Sequence, residues 1–324
     1  RHIKSGALYE LTFRARDSLP FACTGYMNLI VEGILARIQR DQKVILHDYL
    51  FEGSHPHIIL TAKDAQQCVQ FYGELKKQLT DAVKRLLGLD HLTLWEDHAS
   101  VIEIPTLEDA INKISYAFTN PTNDDLVDRI EDYPGVSSWK AFCDTDSIDA
   151  RFSSVHPWIR QPMIPKLPSP AVTPAQDRML TRELREKAKC THTLNLFPWL
   201  WLRHFAEELP EGGVKEVKRR IFERIRGVEE ENRKRRACAK KRVLGKERLR
   251  AQALLKPHTP KKKERKIFLQ SQFADIRQAL IDEFKRIDAL CRKIYERWKR
   301  GDFSVPWPPG TFPPPLPPQA NALA

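Results

Sequence analysis

The chain has 324 residues, 41% hydrophobic and 30% charged, enough for one large or two medium domains with real cores. No apolar run reaches the roughly 18 residues of a membrane-spanning helix, and the six cysteines, without a Cys-x-x-Cys pair, suggest neither a zinc knuckle nor a disulfide framework, which fits a reducing cytoplasm. The net charge of +12 is uneven: residues 1–150 hold 15 Lys/Arg against 23 Asp/Glu, residues 215–266 hold 22 against 7, so the basic stretch predicts a polyanionic partner, nucleic acid before an anionic membrane.

Leu8 to Arg16 reads as a strand, followed by a turn at Asp17-Ser18-Leu19-Pro20. Thr24 caps a helix to about Arg40, with Met27, Ile30, Val31, Ile34, Leu35 and Ile38 at helical spacing. Val44 to Phe51 and His55 to Thr61 pair as a hairpin across Gly53-Ser54, with Pro56 favouring an irregular or edge-facing start to the second strand. Asp64 caps a helix from Ala65 to about Leu87. Leu92 to Trp95 and Ser100 to Ile104 are short strands. Thr106, with Asp109 three positions on, opens a helix that ends near Thr119 before Asn120-Pro121-Thr122-Asn123. This order predicts an α/β fold with a mainly antiparallel sheet, close to ferredoxin-like.

Residues 1–150 are expected as a first domain and 151–174 as a proline-rich linker, with six prolines between Pro157 and Pro174. A basic helical region spans 175–304, ending in a long amphipathic helix from Gln270 to Arg300. A proline-rich tail covers 305–324. The aromatic cluster around Trp199 and Trp201 is expected against the first domain or against DNA.

His55 and His57 stand at i and i+2, so a strand points both imidazoles to one face. Two surface histidines fit that spacing as well, and chemistry needs the rest of a site. Tyr116 and Asn120 supply it, one helical turn apart. Imidazole nitrogens and an amide oxygen can hold a divalent ion, and a phenol beside it can act as a nucleophile. Tyr72 is the alternative nucleophile but shares a core phase with Val69 and Leu79, and His47 and His98 are further candidate ligands.

Four stretches carry a family resemblance: His55-Pro56-His57-Ile58-Ile59-Leu60, Tyr116-Ala117-Phe118-Thr119-Asn120-Pro121, Leu126-Val127 with Glu131 to Ser138, and Leu94-Trp95. Through them the first 140 residues resemble the catalytic domain of single-tyrosine HUH transposases, within these the REP-associated tyrosine transposases. The resemblance implies a ferredoxin-like HUH nuclease domain acting as a metal-dependent single-stranded DNA endonuclease and strand transferase at hairpin-forming, REP-like repeats. It implies Tyr116 as the nucleophile, a 5′-phosphotyrosine intermediate, and Mg²⁺ or Mn²⁺ on His55, His57 and Asn120. Phosphates are expected on Arg233, Lys234, Arg235, Arg236, Lys240, Lys241 and Arg242, and stacked bases on Trp199 and Trp201. The chain is expected in the cytoplasm with the nucleoid, as a monomer or homodimer, away from membranes. The alternatives are a non-catalytic DNA- or RNA-binding protein that keeps this fold, and a structural protein whose basic helices bind partners.

Overall fold

The computed structural model describes residues 2–259 and 269–314. The lysine cluster at 261–263 and the proline tail beyond 314 lie outside the described residues. In chain order the elements are β1 (Leu8–Thr12), β2 (Ser18–Leu19), α1 (Gly25–Gln42), β3 (Ile45–Glu52), β4 (His55–Thr61), α2 (Ala65–Leu87), β5 (Ser100–Glu103), α3 (Leu107–Asn123), α4 (Trp139–Asp144), β6 (Phe152–Pro157), α5 (Pro174–Lys187), β7 (Thr191–Leu196), α6 (Gly213–Cys238), α7 (Lys246–Arg250), β8 (Lys256–Pro257) and α8 (Ala274–Lys299).

Six strands form one sheet in the order β5-β1-β4-β3-β7-β6, antiparallel except for the β3–β7 contact. The chain is thus a mixed α/β fold with a mostly antiparallel sheet and helical regions. The side-chain period of two along β4 divides the core. Ile58 and Leu60 face α1 and α2 in one cluster, while Ile59 faces α3 and α6 in a second.

Local chemistry explains the helix starts. Thr24, Asp64 and Thr106 each accept a hydrogen bond from the backbone N–H three residues on, satisfying a donor that the first turn leaves orphaned. The β3–β4 turn has only two residues, Gly53 and Ser54, and Gly53 sits at φ +29°, the positive region that such short hairpin turns require. Gly33 of α1 meets the end of β6 so closely that a Cβ there would lie 2.4 Å from the Pro157 carbonyl oxygen.

Pro56 opens an interior strand, not an edge. β4 lies between β1 and β3, but the β1 ladder stops at the Thr12–His57 pair, one residue short of Pro56. On the other side, Phe51 is opposite Pro56 yet donates to the Val136 carbonyl and accepts from the Tyr133 hydroxyl. The missing proline N–H therefore costs the sheet no hydrogen bond.

Four expectations change. The strand at Leu92–Trp95 reduces to a single bridge between Ala15 and Trp95, and the first strand stops at Thr12. The α3 helix continues past Pro121 to Asn123. Its last turn is held by Asp124 N–H on the Asn120 carbonyl (3.0 Å), Leu126 N–H on Pro121 (2.8 Å) and the α6 side chain of Asn232 on Asn123 (2.8 Å). The boundary expected near residue 150 falls inside the sheet. Residues 152–157, within the expected proline-rich linker, form edge strand β6, and β7 docks beside β3. α6 packs along α3 within the same core.

Candidate active site

The register of the central strands sets the site. Thr12 pairs with His57 and Glu10 with Ile59, so the Glu10 and His57 side chains project to the same face, next to α3. His55 and His57 share that face, their ring centroids 4.9 Å apart. From α3, Lys113, Tyr116 and Asn120 stand at i, i+3 and i+7, on one side of the helix.

His57 is the centre of the contacts. Its Nδ1 lies 2.8 Å from Glu10 Oε1, and its Nε2 lies 2.7 Å from the Asn120 amide nitrogen. The Tyr116 ring meets it edge-on, centroids 5.6 Å apart. Asn120 is buried, whereas Tyr116 is 49% exposed and so open to a large substrate. The second Glu10 oxygen accepts from Lys113 Nζ at 2.5 Å, and that ammonium also donates to Gln270 Oε1 at 2.6 Å. Burial would raise the Glu10 carboxyl, but the His57 hydrogen bond and the charges of His57 and Lys113 outweigh it and hold the group down to about 2.

His55 is held neutral. Burial lowers its pKa well below the usual imidazole value, and the charges of His57, Arg14 and His258 push the same way. Its Nδ1 contacts the Ser54 hydroxyl at 3.1 Å. Across the hairpin from His55 stands Glu52, buried, with neither carboxylate oxygen hydrogen-bonded. Burial, reinforced by Asp124 and opposed by Arg14, raises its pKa well above the carboxylate range.

His55, His57 and the Asn120 amide are the groups that could hold a divalent ion. Among the described residues no group of three or more His, Cys, Asp or Glu is placed to do so alone. His47 stands elsewhere: its ring is bound to the Phe197 carbonyl (2.9 Å) and the Thr61 hydroxyl (3.0 Å), and burial lowers its pKa to about 4. His98 is exposed on a loop, and Tyr72 packs against the cluster beneath the opposite sheet face. Glu10 and Lys113 carry little signal in the sequence, and Glu52, which reads there as a solvated or hairpin residue, is buried in the fold. Glu10 was detectable only as a carboxylate within an apolar strand, and Lys113 only as the residue three before Tyr116.

The expected DNA contacts divide. Trp199 and Trp201 are 0% exposed, with their indole N–H groups bound to the Thr145 and Pro198 carbonyls, so neither ring offers a stacking face. Arg236 is 4% exposed and clamps Asp125 and Asp128. Arg233 and Lys234 face Glu230, and Arg235 holds Asp125. Aromatic burial takes the two tryptophans into the core, and Arg236, once buried, needs its two aspartates to offset desolvation, whereas Arg233, Lys234 and Arg235 stay exposed in surface ion pairs. Lys240, Lys241 and Arg242 are exposed.

No family model matches the chain, and no curated protein does. Among solved structures, one of a REP-associated tyrosine transposase bound to a REP hairpin shows a weak and partial similarity, at 20% identity with a TM-score of 0.38. The match covers 44% of this chain and 83% of that one.

Proposed function

We propose that the chain is a metal-dependent single-stranded DNA endonuclease and strand transferase that works through Tyr116. The observation that carries this reading is His57 held between Glu10 and Asn120, with the Tyr116 ring against it. Glu10 accepts from Nδ1–H, which fixes the tautomer and turns the Nε2 lone pair toward Asn120. A half-turn of the Asn120 amide puts its oxygen where its nitrogen now lies, beside His57 Nε2. Two imidazole nitrogens and one amide oxygen fit a divalent ion, with Mn²⁺ preferred to Mg²⁺ by nitrogen ligands. Water and phosphate oxygens would complete the shell.

Such an ion, when bound, polarises the scissile phosphate and offsets charge on its oxygens. Tyr116 supplies the nucleophile: a bond forms between its phenolic oxygen and phosphorus, and the bond from phosphorus to the 3′ oxygen breaks. The proton lost by the phenol is matched by one taken up at the 3′ oxygen. The product is a 5′-phosphotyrosine with a free 3′-OH, and reversal with another 3′-OH joins strands. Lys113 keeps the Glu10 carboxylate charged and in place. Hairpin-forming, REP-like repeats are the proposed substrate.

The test is one incubation of the purified chain with hairpin-flanked single-stranded DNA and Mn²⁺, resolved under denaturing conditions. A covalent protein–DNA product is expected, absent from Tyr116→Phe. Salt-sensitive DNA binding without any adduct would instead leave a non-catalytic nucleic-acid-binding protein.

A further inference from the structure

The charge on the basic half of the chain is not equally available. Every arginine of α6 is ion-paired: Arg219 with Glu216 and Glu223, Arg220 and Arg224 with Glu108, Arg226 with Glu131, and Arg233, Arg235 and Arg236 as above. The segment that follows differs. Between Ala239 and Thr259 stand seven Lys/Arg and one carboxylate, Glu247. Lys240, Lys241, Arg242, Lys246, Arg248 and Arg250 are all exposed, as is Lys256, and none of the seven has an ion pair among the described residues.

This segment is also anchored on both sides of the site. At one end, Leu244 and Gly245 donate to the Asp125 and Leu126 carbonyls, just beyond the end of the helix that carries Tyr116 and Asn120 (both 2.9 Å). Leu249 then seats in the core. At the other end, Leu255 N–H reaches the Leu19 carbonyl (3.1 Å), β8 pairs with β2, and His258 N–H reaches Asp17 (2.9 Å). β2 in turn lies on the turn before His55: Phe21 donates to the Gly53 carbonyl at 3.0 Å, and the Leu19 side chain packs beside Gly53. The strap therefore runs from the α3 terminus to the β3–β4 turn.

We propose that the strap of residues 239–258, and not the arginine-rich face of α6, is the phosphate rail that leads a single strand to Tyr116. Unpaired exposed cations can exchange small counterions for phosphates. Arginines already held by carboxylates must first break those pairs. The assignment rests on the reading of the site as one that acts on single-stranded DNA.

The experiment measures full-chain binding to a fluorescent single-stranded oligonucleotide across a salt series, all on a Tyr116→Phe background so that covalent capture does not contribute. The strap variant carries Lys240→Gln, Lys241→Gln and Arg242→Gln, and the control carries Arg219→Gln and Arg233→Gln on α6. Each lost phosphate contact removes about 0.7 from the slope of log affinity against log salt. The strap variant should lose about 2 in slope and bind at least tenfold more weakly near 0.1 M salt, with an unchanged melting temperature, while the control stays close to the parent. A folded strap variant with parental affinity and slope overturns the proposal, as does an equal loss in the α6 control. Adduct formation by the unmodified chain is scored separately: its absence, with the slope loss intact, defeats the Tyr116 reading and leaves the rail standing.

Discussion

Replacing Glu10 by Gln preserves the size of the side chain and removes its charge. In the folded chain Glu10 is 3% exposed, 2.8 Å from His57 Nδ1 and 2.5 Å from Lys113 Nζ. A glutamine can still accept from Nδ1–H, so the tautomer survives, but the bond falls from the charge-assisted class, about 1.5–3 kcal/mol, to the neutral one, about 0.5–1.5 kcal/mol. A loss near 1.5 kcal/mol corresponds to about tenfold in the affinity of whatever His57 Nε2 holds. Folding stability falls too, because Lys113 loses its counterion. Its side chain is 15% exposed and keeps Gln270, so that cost stays below the ~3–5 kcal/mol of a fully buried orphaned charge, at about 2 kcal/mol. Mn²⁺ titration of the DNA-free protein, by calorimetry or by loss of the free-ion resonance, reads the first effect, and urea denaturation reads the second. A Glu10→Gln protein that is fully folded and binds Mn²⁺ as tightly as its parent would refute the role given to Glu10 in tuning His57.

Glu10 also makes stability fall in acid. Its folded pKa, about 2, lies below the ordinary 4.5, so its contribution is present above pH ~4.5 and is lost as pH falls through ~2; on the order of 3 kcal/mol disappears over that window, and Glu10→Gln should flatten the acid limb of a denaturation series. Asp48 has the opposite sign. Burial raises it to about 8, against one Ser138 hydrogen bond, and its second oxygen is unpartnered, so it favours folding below pH ~4 and loses that contribution as pH rises through ~8. Asp48→Asn should therefore stabilise the chain by about 3 kcal/mol more at pH 8 than at pH 5, read from urea midpoints, and equal gains at both pH values would contradict a buried neutral carboxyl. Trp199→Ala should cost about 3–5 kcal/mol of stability, and DNA affinity of the remaining folded fraction should not change. Arg236→Met should cost roughly 1–3 kcal/mol, since its partners Asp125 and Asp128 are themselves partly exposed, again without changing the salt slope of DNA binding.

Local pattern alone determined the helix starts at Thr24, Asp64 and Thr106, the hairpin across Gly53-Ser54, and the mostly antiparallel sheet. Capping oxygens, a two-residue turn and the side-chain periods of strand and helix act within a few residues, so they are written in order along the chain. The pairs His55/His57 and Tyr116/Asn120 were legible for the same reason, each as a fixed spacing on one element. Only the tertiary structure decided what joins them. Glu10 reaches His57 through strand register across 47 positions, and Lys113 reaches Glu10 from a helix 103 positions away. The fate of the basic residues was likewise hidden. Arg236 and Lys240 are alike in sequence, yet one is buried between two aspartates and the other stands in water, because the carboxylates that claim Arg236 come from the segment just after α3. Composition counts charges, but only packing decides which of them remain unpaired at the surface. The two histidines of β4 were visible as a pair in the sequence, and the fold set the Glu10 carboxylate, the Asn120 amide and the Tyr116 phenol around His57.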